Sequence, residues 1–258
     1  MANIIAIANH KGGVGKTTSV ANIGAALARK GKRTLLIDLD AQQNLTFFFL
    51  KDEVEVSIYD ALTGKAALPI IQIKENLYLT PSSIDLARAE LDLSARIARE
   101  GILKNLLQPI AQDYDFILLD CPPSLGIVTY NALVAANALY ITLTAEALPY
   151  KGLTMLEDVV GEIQALNREL SISGVFITRY NNRNLNNIVV EQIRERYGSK
   201  VFSTKIRENI ALAEAPLEGE DIFTYAPDSN GAKDYDSLTE EILSRWKQAE
   251  NSYTTSGE

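Results

Sequence analysis

Short runs of apolar residues alternate along the chain with longer stretches in which apolar residues recur every three or four positions. The short runs predict buried strands at residues 3–8, 33–39, 77–81, 116–120, 138–143 and 172–178, and a weaker strand at 201–206. The longer stretches predict helices at residues 17–29, 91–107, 127–135, 151–170, 187–197 and 232–249. This alternation predicts an α/β fold with a doubly wound, mostly parallel sheet and helices on both faces.

The composition is consistent with this predicted fold and narrows the class of protein. Apolar residues make up 47% of the 258 residues and charged residues 22%, which is ordinary for a globular protein. We expect a single domain over residues 1–250 and a polar tail over residues 251–258. Cys121 and His10 are the only residues of their types. Their scarcity excludes an intrachain disulfide, a multi-cysteine metal site and a classical zinc site, so we expect a cytoplasmic location.

The charge is unevenly distributed along the chain. The net charge of the chain is −8, so the protein as a whole repels nucleic acid and anionic membranes. Residues 171–210 contain seven Lys or Arg and three Asp or Glu, whereas residues 211–258 contain three Lys or Arg and eleven Asp or Glu. Any contact with DNA must therefore come from the basic segment. No apolar run approaches the ~18 residues of a membrane span, and we expect no membrane partner.

A glycine-rich segment follows the first predicted strand and opens the first predicted helix. It reads His10-Lys11-Gly12-Gly13-Val14-Gly15-Lys16-Thr17-Thr18. Its end fits the phosphate-binding pattern G-x-x-x-x-G-K-[ST], although His10 replaces the first glycine. The glycines let successive N–H groups point at phosphate oxygens, and the start of the helix adds its positive dipole end. We predict that Lys16 reaches the β- and γ-phosphates and that the Thr17 hydroxyl binds Mg²⁺.

Carboxylates end two of the predicted strands at the edge of the sheet where the glycine-rich loop lies. Asp38 and Asp40 end the second strand, and the alternation of side chains along a strand predicts that both point to the same side. Asp120 ends the apolar strand 116–120, where a carboxylate can hold Mg²⁺. We therefore predict a magnesium site formed by Thr17 and Asp120.

The sequence K-G-G-V-G-K-T-T at residues 11–18 resembles the deviant Walker A box of the ParA/MinD ATPases. The resemblance covers nearly the whole chain, and it implies a fold of the P-loop NTPase type and slow, Mg²⁺-dependent hydrolysis of ATP. In that family the first lysine reaches the phosphates of a second subunit, which implies a homodimer in the ATP state with Lys11 acting across its interface. Asp40 matches the second aspartate of the family motif D-x-D-P-Q, which implies that it orients the attacking water. Lys11, Lys16 and Asp40 are thus the predicted catalytic residues.

The segment Ile-Arg-Glu-Asn at residues 206–209 resembles the family motif I-P-R-N, which flanks the adenine base. Arg207 can stack on the base and Asn209 can hydrogen-bond to its edge, while an ordinary helix cap by Asn209 is the alternative. Residues 178–181 are a second candidate for base contacts. No N-K-x-D signature for guanine is present, so ATP is favoured over GTP. The residues predicted to bind ATP are Lys11, Gly12, Gly13, Val14, Gly15, Lys16, Thr17, Thr18, Arg207 and Asn209.

The resemblance implies a ParA-type partition ATPase. Its ATP-bound dimer would bind DNA without sequence preference, and a ParB-like partner would stimulate it to segregate plasmid or chromosome DNA. Arginines of two C-terminal family motifs are replaced here by Ala211, Asp228 and Asn230. The remaining candidate DNA contacts are Arg183, Arg194 and Arg196, for which a solvated surface of mixed charge is the alternative. If these arginines bind DNA, the protein is associated with the nucleoid.

Three other functions are weighed against partition. A MinD-like membrane ATPase carries a basic amphipathic C-terminal helix, whereas residues 251–258 are polar and end in an acidic residue. A metabolic ATPase, such as a biotin-pathway synthetase or an iron–sulfur carrier, does not explain Lys11 as well, and the carrier role lacks a C-x-x-C motif. A ParA/MinD-like ATPase that positions a non-DNA cargo or a membrane-associated complex is the alternative that stays open.

Overall fold

The computed structural model describes residues 2–145 and 150–255. Its strands are β1 (Asn3–Ala8), β2 (Thr34–Asp38), β3 (Ile71–Lys74), β4 (Leu77–Thr80), β5 (Phe116–Asp120), β6 (Ala138–Thr144), β7 (Ser171–Tyr180) and β8 (Val201–Arg207). Its helices are α1 (Lys16–Arg29), α2 (Asn44–Phe49), α3 (Ile58–Leu62), α4 (Ala89–Asp92), α5 (Ile102–Leu107), α6 (Ile127–Ala135), α7 (Tyr150–Ile163), α8 (Asn184–Tyr197), α9 (Ala211–Glu218), α10 (Ile222–Tyr225) and α11 (Asn230–Thr255).

One sheet runs through this described part of the chain. Its eight strands lie in the order β3-β4-β2-β5-β1-β6-β7-β8. Neighbouring strands are parallel except β3 and β4, which pair antiparallel. The strand order reverses at β1, which lies between β5 and β6. Ligands bind outside the carboxyl ends of the strands at such a reversal, so the loop after β1 is the expected site. The predicted fold class is confirmed.

Side chains that alternate along the strands form a separate hydrophobic core on each face of the sheet. Ile5 and Ile7 of β1 join the core that packs against α1, α2, α10 and α11. Ala6 and Ala8 join the core that packs against α3, α5, α6, α7 and α8. A fully buried aliphatic side chain of isoleucine size contributes roughly 1.5–3 kcal/mol. The sheet is therefore held from both faces, which leaves the loops at its carboxyl edge to form a site.

The prediction of one helix over residues 91–107 is wrong, because the structure divides this region into short helices separated by an irregular segment. Helix α4 ends at Asp92, and α5 begins only at Ile102. Between them Ala98 has a φ of 53°, a left-handed conformation that a right-handed helix cannot contain. The guanidinium of Arg96 donates hydrogen bonds to the main-chain oxygens of residues 62 and 63, which holds the irregular segment against α3.

Other differences concern short elements and the ends of helices, such as α7, which ends at Ile163 and not at the predicted residue 170. The predictions omitted β3, the antiparallel edge strand, and the short helices α2, α3, α9 and α10. The last helix continues to Thr255, beyond its predicted end at residue 249, and residues 256–258 lie outside the described residues. Within residues 2–145 and 150–255, no helix is long and apolar enough to cross a membrane.

Candidate functional site

The glycine-rich loop leaves β1 and enters α1 in a conformation that requires glycine at two positions. Gly13 has a φ of 72° and Gly15 a φ of 81°, and both values lie in the left-handed region that side chains disfavour. Gly12 has no neighbouring atom within 4 Å of the position that a Cβ would take, so a side chain there would project into open space. Helix α1 then begins at Lys16, one residue earlier than predicted, and Thr18 lies half-buried in its first turn.

Two polar side chains, those of Asn9 and Thr178, fix this loop to the ends of neighbouring strands. The buried amide of Asn9 donates a 2.6 Å hydrogen bond to the main-chain oxygen of Thr142 on β6, and its oxygen accepts one from the Lys11 N–H. The hydroxyl of Thr178 on β7 donates to the main-chain oxygen of Val14 at 2.8 Å. The loop is therefore held in place before any ligand arrives, which lowers the entropic cost of binding one.

The two lysines of the loop lie in different environments. Lys16 is buried, and its Nζ donates a 3.3 Å hydrogen bond to the main-chain oxygen of Lys11 across the concave side of the loop. The side chain of Lys11 is exposed. A phosphate in the loop would offer Lys16 an anionic acceptor in place of a neutral peptide oxygen, and a bond between a cationic donor and an anionic acceptor is the stronger of the two.

Thr17 and Asp120 meet as the sequence predicts. The Thr17 hydroxyl donates a 2.7 Å hydrogen bond to one carboxylate oxygen of Asp120, while the other oxygen, Oδ1, is buried without a partner among the described residues. Mg²⁺ at phosphate sites is typically held by one or two protein oxygens together with phosphate and water. Within residues 2–145 and 150–255, no cluster of three or more His, Cys, Asp or Glu residues could hold a metal. A hydroxyl and one unpartnered carboxylate oxygen therefore fit Mg²⁺ bound together with phosphate.

Asp38 is buried, and no motif in the sequence predicts a role for it. It is the register partner of Asp120 on the neighbouring strand. Its carboxylate accepts hydrogen bonds from the N–H and hydroxyl of Thr46 and from the N–H of Asp40. Burial raises the pKa of Asp38 to about 6, although these hydrogen bonds oppose the rise. Burial, and next the charge of Asp38, raise the pKa of Asp120 well above its ordinary range.

Asp38 and Asp40 lie in different environments, and the strand alternation used to predict a shared side does not reach Asp40. Strand β2 ends at Asp38, so the alternation of side chains does not continue to Asp40. Asp40 lies half-exposed in the turn that follows, where its Oδ1 accepts a 3.0 Å hydrogen bond from the Gln42 N–H. Asp38 therefore supports the turn from below, and Asp40 has a carboxylate at the surface beside the magnesium residues.

The residues predicted to contact adenine are engaged elsewhere. The guanidinium of Arg207 forms a two-pronged ion pair with Asp234 of α11, with its shortest contact at 2.6 Å. The side-chain oxygen of Asn209 accepts a 2.9 Å hydrogen bond from the Ala211 N–H at the start of α9, which is the helix-cap alternative. The second candidate segment, residues 178–181, reaches the loop through Thr178.

The three candidate DNA-binding arginines lie along α8. Arg183 immediately precedes the helix, and Arg194 and Arg196 lie in its last turn. Arg194 pairs with Glu191 at 2.9 Å, and Arg196 pairs with Glu157 of α7. At about 100° per residue, Arg183 and Arg194 share one face of the helix, while Arg196 is turned toward α7. The structure therefore does not bring the three arginines together as one patch.

His10 makes a contact that sequence reasoning did not anticipate. Its Nδ1 lies 2.9 Å from the main-chain oxygen of Pro123, in the loop that follows Asp120. The imidazole therefore links the phosphate loop to the segment beyond β5. The sequence signal for this contact is the histidine at the first glycine position of the phosphate-binding pattern. The pattern alone does not predict which residue that histidine contacts.

Comparison with known proteins identifies relatives over the full fold. A family model described as an AAA domain matches residues 2–172. The chromosome-partitioning ATPase Soj of Treponema pallidum is 44% identical over 250 residues, which cover 95% of this chain and 98% of the relative. The sporulation initiation inhibitor protein Soj of Bacillus subtilis is 43% identical over 249 residues, which cover 94% of this chain and 98% of that protein.

A solved structure with the same fold contains nucleotide. The crystal structure of a cobyrinic acid a,c-diamide synthase from Mycobacterium smegmatis, with bound ADP and magnesium, superposes with a TM-score of 0.85. It is 34% identical in sequence, and the match covers 96% of this chain and 97% of the synthase chain. The likeness therefore extends over all the elements that surround the phosphate loop.

Proposed function

The chain belongs to the family of Soj/ParA partitioning ATPases, and from that premise we propose that it is a slow, Mg²⁺-dependent ATPase that segregates plasmid or chromosome DNA. In this proposal ATP makes the protein a homodimer, the dimer binds DNA without sequence preference, and a ParB-like partner stimulates hydrolysis. The location is cytoplasmic, and nucleoid-associated while DNA is bound.

The observation that carries the ATPase proposal is the hydrogen bond between Thr17 and Asp120. It joins the first turn of α1 to the end of β5, directly beside a loop with two left-handed glycines. The unpartnered Oδ1 of Asp120 is a buried carboxyl oxygen with no donor among the described residues. A Mg²⁺ ion held by Thr17 and Asp120 would neutralise charge on the β- and γ-phosphates.

The residues of the chain have separate roles in this reaction. The N–H groups of the glycine-rich loop and the dipole of α1 bind the phosphates, and Lys16 donates to their oxygens. Asp40, at the surface of the turn after β2, accepts a hydrogen bond from the attacking water and holds it in line with the γ-phosphate. Because residues Gly12–Thr18 include no strong general base, intrinsic turnover is slow.

Lys11 supports the proposal of a dimer. Its side chain is exposed, while its own main-chain oxygen already accepts from Lys16. Without nucleotide the two lysine side chains repel each other, and a triphosphate bound to the same subunit or to a second copy of the protein removes that repulsion. In the proposed dimer, Lys11 reaches the phosphates of the partner subunit.

The alternative is a ParA/MinD-like ATPase that positions a non-DNA cargo or a membrane-associated complex. Two of the three candidate DNA-binding arginines are already ion-paired with carboxylates of the same chain, which favours this alternative. A synthase function has less support, because the synthase structure is 34% identical whereas the Soj relatives are 43–44% identical.

Titration with MgATP, followed by a steady-state assay of released phosphate, tests the ATPase proposal. Lys16→Ala removes the cation that reaches the phosphates, so it should abolish both binding and turnover. Lys32→Ala is a matched control, since Lys32 is half-exposed and pairs with Asp115 far from the loop. Equal ATP affinity in Lys16→Ala and Lys32→Ala would refute the proposal.

A further inference from the structure

We propose that the protein has a second anion site, separate from the phosphate loop, which binds the dianionic phosphate group of a small phosphomonoester. The site is a cavity of about 300 Å³ between the end of α3 and the segment that contains α4. Its lining residues are all polar: Tyr59, Thr63, Lys65, Arg88, Asp92 and Arg96. None of them belongs to the phosphate loop or to the carboxylates beside it, so this site can be present whether or not the protein hydrolyses ATP.

The cavity has an excess of positive charge. Three cationic side chains and one carboxylate line it, which gives a formal charge of +2. The chain as a whole has a net charge of −8, so carboxylates that could neutralise these cations are abundant. The ion pairs formed within residues 2–145 and 150–255 nevertheless include none of the three cations. Their charge is therefore left for a ligand to neutralise.

The spacing of the charged residues shows how this excess arises. Arg88, Asp92 and Arg96 follow one another at intervals of four residues, and the helical turns continue to Arg96, whose N–H donates to the oxygen of Leu93. Opposite charges four residues apart on a helix normally pair. Here the Asp92 carboxylate instead accepts a 2.7 Å hydrogen bond from the hydroxyl of Tyr59. The one carboxylate of the cavity is thus bound to a neutral group, and both arginines keep their full charge.

Two of the cations are already held in position by contacts with α3 and its end. The guanidinium of Arg96 donates to the main-chain oxygens of Leu62 and Thr63. The Nζ of Lys65 donates a 3.2 Å hydrogen bond to the Tyr59 hydroxyl and lies 4.4 Å from the centroid of the same ring. A guanidinium has five N–H donors and an ammonium group three, so both side chains keep donors for a ligand. Because they are oriented beforehand, binding costs less side-chain entropy.

The backbone turns on both sides of the cavity in left-handed conformations. Gly64 has a φ of 72° and ends α3, and the Lys65 N–H then donates a 2.8 Å hydrogen bond to the oxygen of Asp60. On the other side, Ala98 has a φ of 53°, which ends the helical turns just after Arg96. A non-glycine residue adopts such a φ at an energetic cost, and residues of this kind are concentrated at functional sites. The two turns fix the positions from which Lys65 and Arg96 reach the cavity.

The size, charge and lining of the cavity favour a small phosphate ester. A volume of about 300 Å³ is the lower limit of ordinary ligand sites and roughly ten times the share of one water molecule, so the cavity admits more than a bare ion. A phosphomonoester carries a charge of about −1.5 to −2 at pH 7, which matches the excess of +2, and the forked guanidinium suits its oxygens. Lys65 covers the Tyr59 ring, so the lining residues offer no open aromatic face on which a nucleobase could stack.

Isothermal titration of the unaltered protein tests the class of ligand, with MgADP present to occupy the phosphate loop. The ligands are glycerol 3-phosphate, which is a dianionic monoester, and dimethyl phosphate, a singly charged diester with the chemistry of a nucleic-acid backbone. Glycerol 3-phosphate should bind at least about tenfold more tightly, because it presents a second negative charge to the cations. Equal affinity for the two esters, or no binding of glycerol 3-phosphate, would overturn the proposal.

Three variants test the cavity itself. Lys65→Gln and Arg88→Gln each remove one cation, and each should weaken the binding of glycerol 3-phosphate by at least about tenfold. Asp92→Asn removes the negative charge but keeps an oxygen that can accept from the Tyr59 hydroxyl, so it should strengthen binding. Lys233→Gln, at an exposed lysine of α11, is the matched control and should leave the affinity unchanged.

The same titration in Lys16→Ala distinguishes the cavity from the phosphate loop. Binding of glycerol 3-phosphate that persists in Lys16→Ala and falls in Lys65→Gln and Arg88→Gln supports the cavity. Binding that is lost in Lys16→Ala and unchanged in the two cavity variants belongs to the loop and overturns the proposal. Asp92→Asn should increase the affinity, so poor folding of the other variants does not prevent a decision. Unchanged or weaker binding in Asp92→Asn would contradict the charge balance of the site.

Discussion

The hydroxyl of Thr17 donates a hydrogen bond of 2.7 Å to the carboxylate of Asp120, although 103 residues separate them in the chain. They meet because β1 and β5 are parallel neighbours, so the loop after β1 and the end of β5 lie at the same edge of the sheet. Asp120 is also the register partner of Asp38 on β2. Two buried carboxylates therefore lie side by side, an arrangement that a bound cation stabilises.

These carboxylates predict that the ligand-free protein loses stability as the pH rises. Burial, followed by the charge of Asp38, raises the pKa of Asp120 well above its ordinary value, and burial raises the pKa of Asp38 to about 6. The folded protein therefore holds these protons more tightly than the unfolded chain does. Below about pH 4 these carboxyl groups are protonated in both the folded and the unfolded state, and the full contribution to the free energy of unfolding is present. This contribution is lost as the pH rises through about 6.

Asp120→Asn isolates this effect from other titrating groups. Asparagine keeps an oxygen that accepts from Thr17 but removes the buried charge. At pH 7, without nucleotide or Mg²⁺, we expect its free energy of unfolding to exceed that of the unaltered protein by roughly 1–3 kcal/mol. Urea denaturation at intervals between pH 8 and pH 5 should show the difference shrinking as the pH falls. A difference that does not change with pH would contradict the explanation.

Asp40→Ala should bind ATP yet lose hydrolysis, because Asp40 is proposed to position water and not to hold the nucleotide. Turnover should fall by at least about 100-fold, while MgATP affinity stays within about threefold. Asp40→Asn is the matched variant, since an asparagine oxygen can still accept the bond from the Gln42 N–H that shapes the turn. Both variants should accumulate as ATP-bound dimers in light scattering. Turnover at the original rate in either one would exclude Asp40 from positioning the water.

Lys11→Gln should bind ATP but remain monomeric. The substitution removes an exposed cation without removing a side-chain contact that shapes the loop, because the hydrogen bonds of Lys11 to Asn9 and Lys16 use its main chain. Light scattering with MgATP, compared with MgADP, measures the oligomeric state. Lys104→Gln changes an exposed lysine on α5 and serves as the control. Dimers of equal stability in the two variants would argue against a role for Lys11 across the interface.

The sequence predicted the parts of the site that lie within a few residues of each other or at the ends of long apolar strands. Gly13, Gly15 and Lys16 follow a local pattern, and Asp120 ends a strand of four apolar residues, so their placement follows from loop chemistry and parallel topology. The pairing of Asp38 with Asp120 was missed because it depends on which strands are neighbours. Strand order is a tertiary property that alternation along one strand does not contain.

The base and DNA contacts were harder to predict for a different physical reason. Arg207 is a long, charged side chain, and a carboxylate 27 residues away on α11 binds it at 2.6 Å. Arg196, a candidate DNA contact, is likewise bound by Glu157 of α7, which lies 39 residues away in the chain. In both cases the side chain's partner comes from an element distant in sequence. Motif spacing therefore identified the segment but not the residue that is available to a ligand.

DNA binding by the ATP dimer should depend on Arg183 and Arg194 more than on Arg196. The first two share a face of α8, while Arg196 pairs with Glu157 and turns toward α7. If about four phosphates are neutralised per complex, the slope of log affinity against log salt is about −3.6. We therefore expect binding that is detectable at low salt and that the double reversal Arg183→Glu with Arg194→Glu abolishes, while ATP hydrolysis is unchanged. A gel-shift titration in the Asp40→Ala background keeps the protein dimeric during the measurement.

The control, Arg88→Glu, reverses the charge of an exposed arginine before α4 and should keep the original affinity and slope. The acidic residues of segment 211–258 oppose the same phosphates, so tight binding with little salt dependence would contradict this electrostatic account. No DNA binding even at low salt would favour a non-DNA cargo, because the ATPase site and its dimer do not require these arginines.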